Sequence, residues 1–147
     1  MPITLRCAAE SDLPVLLDLL AVLDANGQPP LTLDQARRVF TRIASYPDYD
    51  VWLAEEDGQP VATYSLLIMD NLGHRGAPEG VIENVAVAAR CQGRGIGRAM
   101  MQHAMEQARA RGCYKLVLSS NAARGDAHRF YESLGFTRHG YSFLVEL

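Results

Sequence analysis

The sequence predicts a mixed α/β domain with helices packed around one central sheet. Segments of strand length alternate with segments whose apolar residues repeat at helical spacing. The chain has 147 residues, 48% of them hydrophobic, which is the size of one domain with a proper core. A glycine-rich turn, Gln92-Gly93-Arg94-Gly95-Ile96-Gly97, stands where an apolar run gives way to a helical pattern.

Taken in order, Ile3 to Arg6 makes a short strand, and Ser11 is placed to cap a helix carrying Leu13, Leu16, Leu17 and Leu20 on one face. Pro14 is tolerated in its first turn. After a loop at Asn26-Gly27-Gln28-Pro29-Pro30, a second helix starts at Thr32. There Thr32 and Gln35 form a capping-box pair, and Ala36, Val39, Phe40 and Ile43 recur at helical spacing. Pro47 and Asp48 end that helix. Val51 to Glu56 and Val61 to Met69 then form a hairpin around Asp57-Gly58. Gly73, Gly76, Pro78 and Gly80 mark Asn71 to Gly80 as a mobile loop with His74 and Arg75 at its tip, a plain connection or a substrate lid.

Val81 to Val87 is an apolar strand interrupted by Glu83 and Asn84, and it leads directly into the glycine turn. Ile96, Met100, Ala104 and Ala108 recur through the next helix, which closes on Arg109, Arg111 and Gly112. Its methionines are core residues, and His103 lies on the same buried stripe. Tyr114 to Ser119 makes a strand, about Asp126 to Leu134 a short helix stopped by Gly135. Phe136 to Arg138 and Tyr141 to Leu147 are the closing strands, the latter by its alternation.

Composition excludes several classes of function. A net charge of −3 provides no basic footprint for nucleic acid. No run approaches membrane-spanning length and no leader pattern opens the chain, so a cytoplasmic protein is expected. Cys7, Cys91 and Cys113 fit reduced thiols rather than a disulfide framework or zinc site. Cys91, next to the turn, reads as an incidental thiol more readily than as a nucleophile. His74, His128 and His139 are too scattered to argue for a metal, and none is predicted.

Glycine at alternate positions of the turn leaves backbone N–H groups open at the positive end of the following helix, a cradle for a diphosphate. It is not the dinucleotide fingerprint, because the position three after Gly95 is Arg98, nor a P-loop, because no Gly-Lys occurs. Arg90, Arg94 and Arg98 surround the loop at intervals of four, either to neutralise phosphate or as a solvated charged face.

With these motifs the chain resembles the GNAT superfamily of N-acetyltransferases. Gln92 to Gly97 fits the family's acyl-CoA loop, and Phe130-Tyr131-Glu132-Ser133-Leu134-Gly135-Phe136 its closing signature. Ile82-Glu83-Asn84-Val85-Ala86-Val87 is similar to the corresponding strand of hexosamine-phosphate acetyltransferases, and Asp126-Ala127-His128-Arg129-Phe130-Tyr131 to aminoalkylphosphonate acetyltransferases. The resemblance implies a mostly antiparallel sheet flanked by helices, and one N-acetyltransferase domain over 1–147 with its acyl-CoA-binding core at about 81–135. It implies acetyl-CoA as cosubstrate and a small-molecule primary amine as acceptor.

By the same resemblance the strand before the turn is bulged and splayed. Val85, Ala86 and Val87 then bond the pantetheine, and the Val87 N–H faces the thioester carbonyl. Gln92, Gly93, Arg94, Gly95, Ile96, Gly97 and Arg98 take the diphosphate. Many members carry asparagine where this chain has Arg124, and Asn121 is the nearest substitute.

Acetyl transfer to an amine needs a neutral nucleophile, a donor to the carbonyl oxygen and a proton for the departing thiolate. Tyr131 is the candidate general acid, since a phenol with an ordinary pKa of about 10 is protonated at neutral pH; without the motif it reads more readily as a core aromatic beside Phe130. Glu83 is the candidate base, acting through a water, or a carboxylate that steers the amine, with Asn84 beside it on the substrate side. Strand alternation puts Glu83, Val85 and Val87 on one face. A peptide amino-terminal acetyltransferase and a catalytically silent CoA-binding module stay open as alternatives. The apolar alternation of Tyr141 to Leu147, expected as a strand at a sheet edge open to pairing with another chain, predicts a homodimer.

Overall fold

A computed structural model of the chain describes residues 2–24 and 27–147. Asn26, read as the start of the first interhelical loop, lies outside the described residues. The chain divides into two compact units, Met1–Val117 and Leu118–Leu147.

The first unit is built on a five-stranded sheet in the order β1-β2-β3-β4-β5. Its strands are β1 (Ile3–Cys7), β2 (Tyr49–Glu56), β3 (Gln59–Met69), β4 (Glu79–Val87) and β5 (Lys115–Val117). The first four pair antiparallel and β5 lies parallel to β4. This is the mixed, mostly antiparallel α/β class that the sequence predicts. β3 is central, and Val61 to Leu66 are buried without interruption because helices cover both its faces. The β2–β3 hairpin closes on Asp57 and Gly58 with φ of 51° and 74°. Two successive left-handed residues make the turn whose twist matches the strands it joins.

On one face, Leu13, Leu16 and Leu19 of α1 (Leu13–Leu20) and Ala36 of α2 (Leu33–Ala44) pack on Leu53. On the other, α3 (Ile96–Ala110) buries Ile96, Met100, Met101, Ala104 and Ala108. Here His103 sits against the Trp52 ring at 4.4 Å and shares a 2.8 Å hydrogen bond with the Tyr64 hydroxyl. The ring is half-buried and packs against these aromatics, and burial pushes the His103 pKa below its ordinary value.

Local details correct the sequence reading in several places. The capping box of Thr32 and Gln35 forms in both directions, at 3.2 and 2.9 Å. Ser11 caps nothing. A 3-10 turn over Glu10–Asp12 precedes α1, and the Asp12 carboxylate accepts the Ala9 N–H at 2.7 Å and N–H groups of Arg6 Nη1 and Nη2 at 2.7 and 2.9 Å. In α1 the buried residues are Leu13, Leu16 and Leu19, while Leu17 and Leu20 are only partly buried. β4 begins two residues earlier than read, at Glu79, and Gly80 is a buried strand residue rather than the end of a loop. A Cβ at Gly80 would lie 2.9 Å from Leu116 Cδ1 and 3.5 Å from Ala108 Cβ, so glycine lets β4, β5 and α3 close together. The loop before β4 is anchored: His74 stacks on Tyr114 at 4.1 Å and the Asn71 amide donates to the Ala77 carbonyl at 3.1 Å.

The second unit carries α4 (Gly125–Ser133), with Gly135 at φ 99° just past its end. Its last segment overturns an expectation. No strand is present over 136–147, and Tyr141, Phe143, Leu144, Val145 and Leu147 are exposed. Alternation marks a chain that suits a strand, but the strand exists only when a neighbour takes up its backbone groups. β5 is likewise confined to Lys115–Val117, short of the predicted Tyr114 to Ser119. No helix among the described residues is long and apolar enough to cross a membrane.

Candidate active site

β4 carries the first part of the site. Its register on β3 runs Glu83 to Ser65 but Ala86 to Thr63, so β4 holds one extra residue between those pairs. The extra residue is accommodated at Asn84, whose φ is 54°. Asparagine tolerates this left-handed conformation better than the β-branched residues around it. The bulge corrects the expected alternation. Glu83 and Ala86 share a face with Ser65 and Thr63, which are two apart on β3, whereas Val87 pairs with Ala62 on the opposite face. Glu83 therefore lies on the face covered by α1 and α2, and both Glu83 and Asn84 are exposed.

β5 pairs with β4 only from Glu79 to Val81. The strand is thus bulged as expected, and Val85, Ala86 and Val87 lie beyond the β5 ladder. Backbone N–H and C=O groups on that side need a partner, and an extended polar ligand is one that fits.

The glycine turn continues from there. Gly93 and Gly95 have φ of 76° and 82°, and a Cβ on either would meet nothing within 4 Å. Glycine is therefore required by the backbone angle, and the space over the turn is open to a ligand. Gly95 is the N-cap of α3, whose first intrahelical bond is from the Ala99 N–H to the Gly95 carbonyl at 3.1 Å. The N–H groups of Ile96, Gly97 and Arg98 precede that bond and have no helical acceptor. With the helix dipole behind them they favour an anion.

Two side chains fix the turn. Gln92 Nε2 donates a long hydrogen bond to the Val87 carbonyl at 3.5 Å, and Arg94 Nη2 pairs with Glu56 Oε1 at 2.5 Å. Arg90 and Arg98 are exposed, and the neighbouring Cys91 thiol is buried, which suits an incidental cysteine. Sequence reasoning missed Glu56. A glutamate before an Asp-Gly turn carries no local signal for a partner 38 residues away.

The remaining candidates lie in the second unit. Tyr131, on α4, is half-buried between Phe130 at 5.3 Å and Phe136 at 5.8 Å. Burial raises its pKa above the ordinary phenol value, and the nearby Arg124 charge opposes part of that rise. The group keeps its proton across the neutral range. Arg124 is the N-cap of α4. The Asn121 side-chain oxygen accepts the Ala123 N–H at 2.8 Å, and its carbonyl bonds His128 Nε2 at 2.7 Å, so Asn121 shapes the turn entering α4. The Ser120 hydroxyl in the same turn is buried without a partner among the described residues. Among those residues, no group of three or more His, Cys, Asp or Glu is gathered to hold a metal ion.

Residues 18–136 match the sequence model of the Acetyltransferase (GNAT) family. The chain belongs to this family of acetyltransferases. As a GNAT N-acetyltransferase it is 33% identical over 144 residues to the glucosamine 6-phosphate N-acetyltransferase of Trypanosoma brucei brucei, covering 97% of this chain and 95% of that one. It is 33% identical over 101 residues to the aminoalkylphosphonate N-acetyltransferase of Salmonella typhimurium, covering 69% and 65%. The solved structure of the Arabidopsis thaliana glucosamine-6-phosphate N-acetyltransferase superposes with a TM-score of 0.85 at 26% identity, covering 99% of each chain. The solved structure of an Agrobacterium tumefaciens str. C58 protein described only as an acetyltransferase reaches a TM-score of 0.92 at 39% identity, covering 98% of this chain and 99% of that one.

Proposed function

We propose that this enzyme moves the acetyl group of acetyl-CoA to the primary amine of a small cytoplasmic metabolite, by direct attack with both substrates bound. One observation carries the reading. A bulged strand that runs past its β5 ladder leads into a turn of two left-handed glycines with open space above them, at a helix N-terminus. That combination suits a ligand with an amide-bearing arm and a diphosphate.

In this account Val85 to Val87 bond the arm and Gln92 to Arg98 hold the diphosphate; Asn121 and Arg124 remain candidate cofactor contacts. The Val87 N–H donates to the thioester carbonyl oxygen as it gains charge. The acceptor arrives as an ammonium of ordinary pKa near 10.4 and must lose a proton before it attacks. Glu83, exposed on the α1 and α2 face, takes that proton through a water, and Asn84 contacts the amine side. The amine lone pair forms the new C–N bond, the C–S bond breaks, and Tyr131 Oη gives its proton to the leaving thiolate. A raised phenol pKa supports that role, because the proton is present when needed.

Relatives named for glucosamine 6-phosphate and for aminoalkylphosphonates favour acceptors that combine an amine with a phosphate or phosphonate. Free thiols suit a reducing compartment. The exposed apolar side chains of Tyr141 to Leu147 support a homodimer, which light scattering at micromolar concentration would show as twice the chain mass.

The test is thiol release from acetyl-CoA against a panel of amino-sugar phosphates, aminophosphonates, simple amines and peptides. Saturable turnover with a small amine is expected. Turnover confined to peptides, or none with any amine, would overturn the reading. With a good acceptor, Glu83→Gln should lose rate at neutral pH and recover much of it as the pH is raised.

A further inference from the structure

We infer that Glu56 is a positioning residue for the acyl-CoA loop, acting through Arg94; the inference rests on the diphosphate reading of that loop. Arg94 stands between Gly93 and Gly95, both left-handed and both without a Cβ to restrict them. A stretch of that kind has more conformational freedom to lose on binding than any other. What limits it is the side chain between the glycines. Arg94 Nη2 donates to Glu56 Oε1 at 2.5 Å, and the Glu56 side chain is only 15% exposed.

The placement of Glu56 follows from the hairpin. It is the last residue of β2, opposite Gln59, beside the two-residue turn at Asp57 and Gly58, which is among the stiffest connections available. Alternation separates it from its neighbour Glu55, which pairs with Arg6 at 2.9 Å. Each carboxylate thus has its own arginine. Gln92 adds a weak contact to the end of β4 at 3.5 Å, so the Glu56 pair is the main restraint, and it would order the turn's N–H groups before any ligand arrives. A guanidinium has five N–H donors, so Arg94 can keep Glu56 and still face a phosphate.

A role through loop ordering predicts a split in kinetics. Glu56→Gln should raise the KM for acetyl-CoA by roughly 3- to 10-fold and leave kcat within about twofold, because the chemistry is untouched. Glu56→Asp keeps the charge and should recover part of the loss. In an Arg94→Ala background, Glu56→Gln should add nothing further, since the two act as one unit. Thermal stability should hardly move, as befits an ion pair whose arginine is half exposed.

An unchanged KM in Glu56→Gln would overturn the inference. So would a lowered KM, which would mean that Glu56 competes with phosphate for Arg94, and so would full additivity of the two variants. Gly95→Ala serves as the separate control. If it binds acetyl-CoA normally, the loop is not the diphosphate site at all. If it loses binding while Glu56→Gln does not, only the positioning role fails.

Discussion

Replacing Gly95 with alanine separates the backbone cost of the turn from its role in binding. The new Cβ meets nothing within 4 Å in the free protein, so no side chain must move. The φ of 82° remains unfavourable for an L residue, by about 1–2 kcal/mol. For a chain of this size the melting temperature should fall by roughly 3 to 8 °C. The same methyl stands where a phosphate must approach the N–H groups of α3, so acetyl-CoA affinity should drop at least about tenfold. Gly112, at the other end of α3, is the matched control: its φ is 74° and its Cβ space is also empty. Gly112→Ala should lose similar stability and no affinity. Calorimetric titration with acetyl-CoA and a thermal melt on both variants decide the matter. Affinity within twofold in Gly95→Ala, or an equal loss in Gly112→Ala, would refute the reasoning.

Gly80→Val tests packing instead of backbone angle: its β carbon meets Leu116 Cδ1 at 2.9 Å, and overpacking should cost about 1–3 kcal/mol in urea unfolding. Asp12 should make stability depend on acid. The hydrogen bonds from Arg6 hold its carboxyl below the usual value, burial opposes this, and the Ala9 N–H adds to it. A depressed folded pKa stabilises above the unfolded value of about 3.9, and that stability is lost as pH falls through the folded value. Asp12→Asn should therefore cost about 1–2 kcal/mol at neutral pH, with the gap closing in acid below about pH 4. Tyr131→Phe should lower turnover by about 10²- to 10⁴-fold with little change in acetyl-CoA affinity, measured by stopped thiol release and calorimetry. In the parent, the alkaline loss of activity should lie above pH 10, because burial raises the phenol pKa.

Much of this fold is legible because its signals are local. The Thr32 and Gln35 cap, the Asp57-Gly58 turn and the stripe from Ile96 to Ala108 each depend on residues near one another in sequence. The glycine turn is legible for the same reason. What escaped depends on distance. Asp12 replaces Ser11 because Arg6 and Ala9 reach it in three dimensions. The inversion of faces after Asn84 comes from one residue adopting a left-handed angle within a ladder, which alternation cannot foresee. Gly80 looks like a loop glycine until α3 and β5 are seen to close on it. Tyr141 to Leu147 alternates like a strand, but pairing is decided by a neighbour and not by the segment itself.

The most direct test of the account is amide hydrogen exchange on the parent enzyme, with and without saturating acetyl-CoA. The predicted result is slowed exchange at Val85 to Val87 and at Gly93 to Arg98, the groups that stand beyond the β5 ladder and before the first helical bond. Binding accompanied by protection elsewhere, with these two segments unchanged, would contradict it.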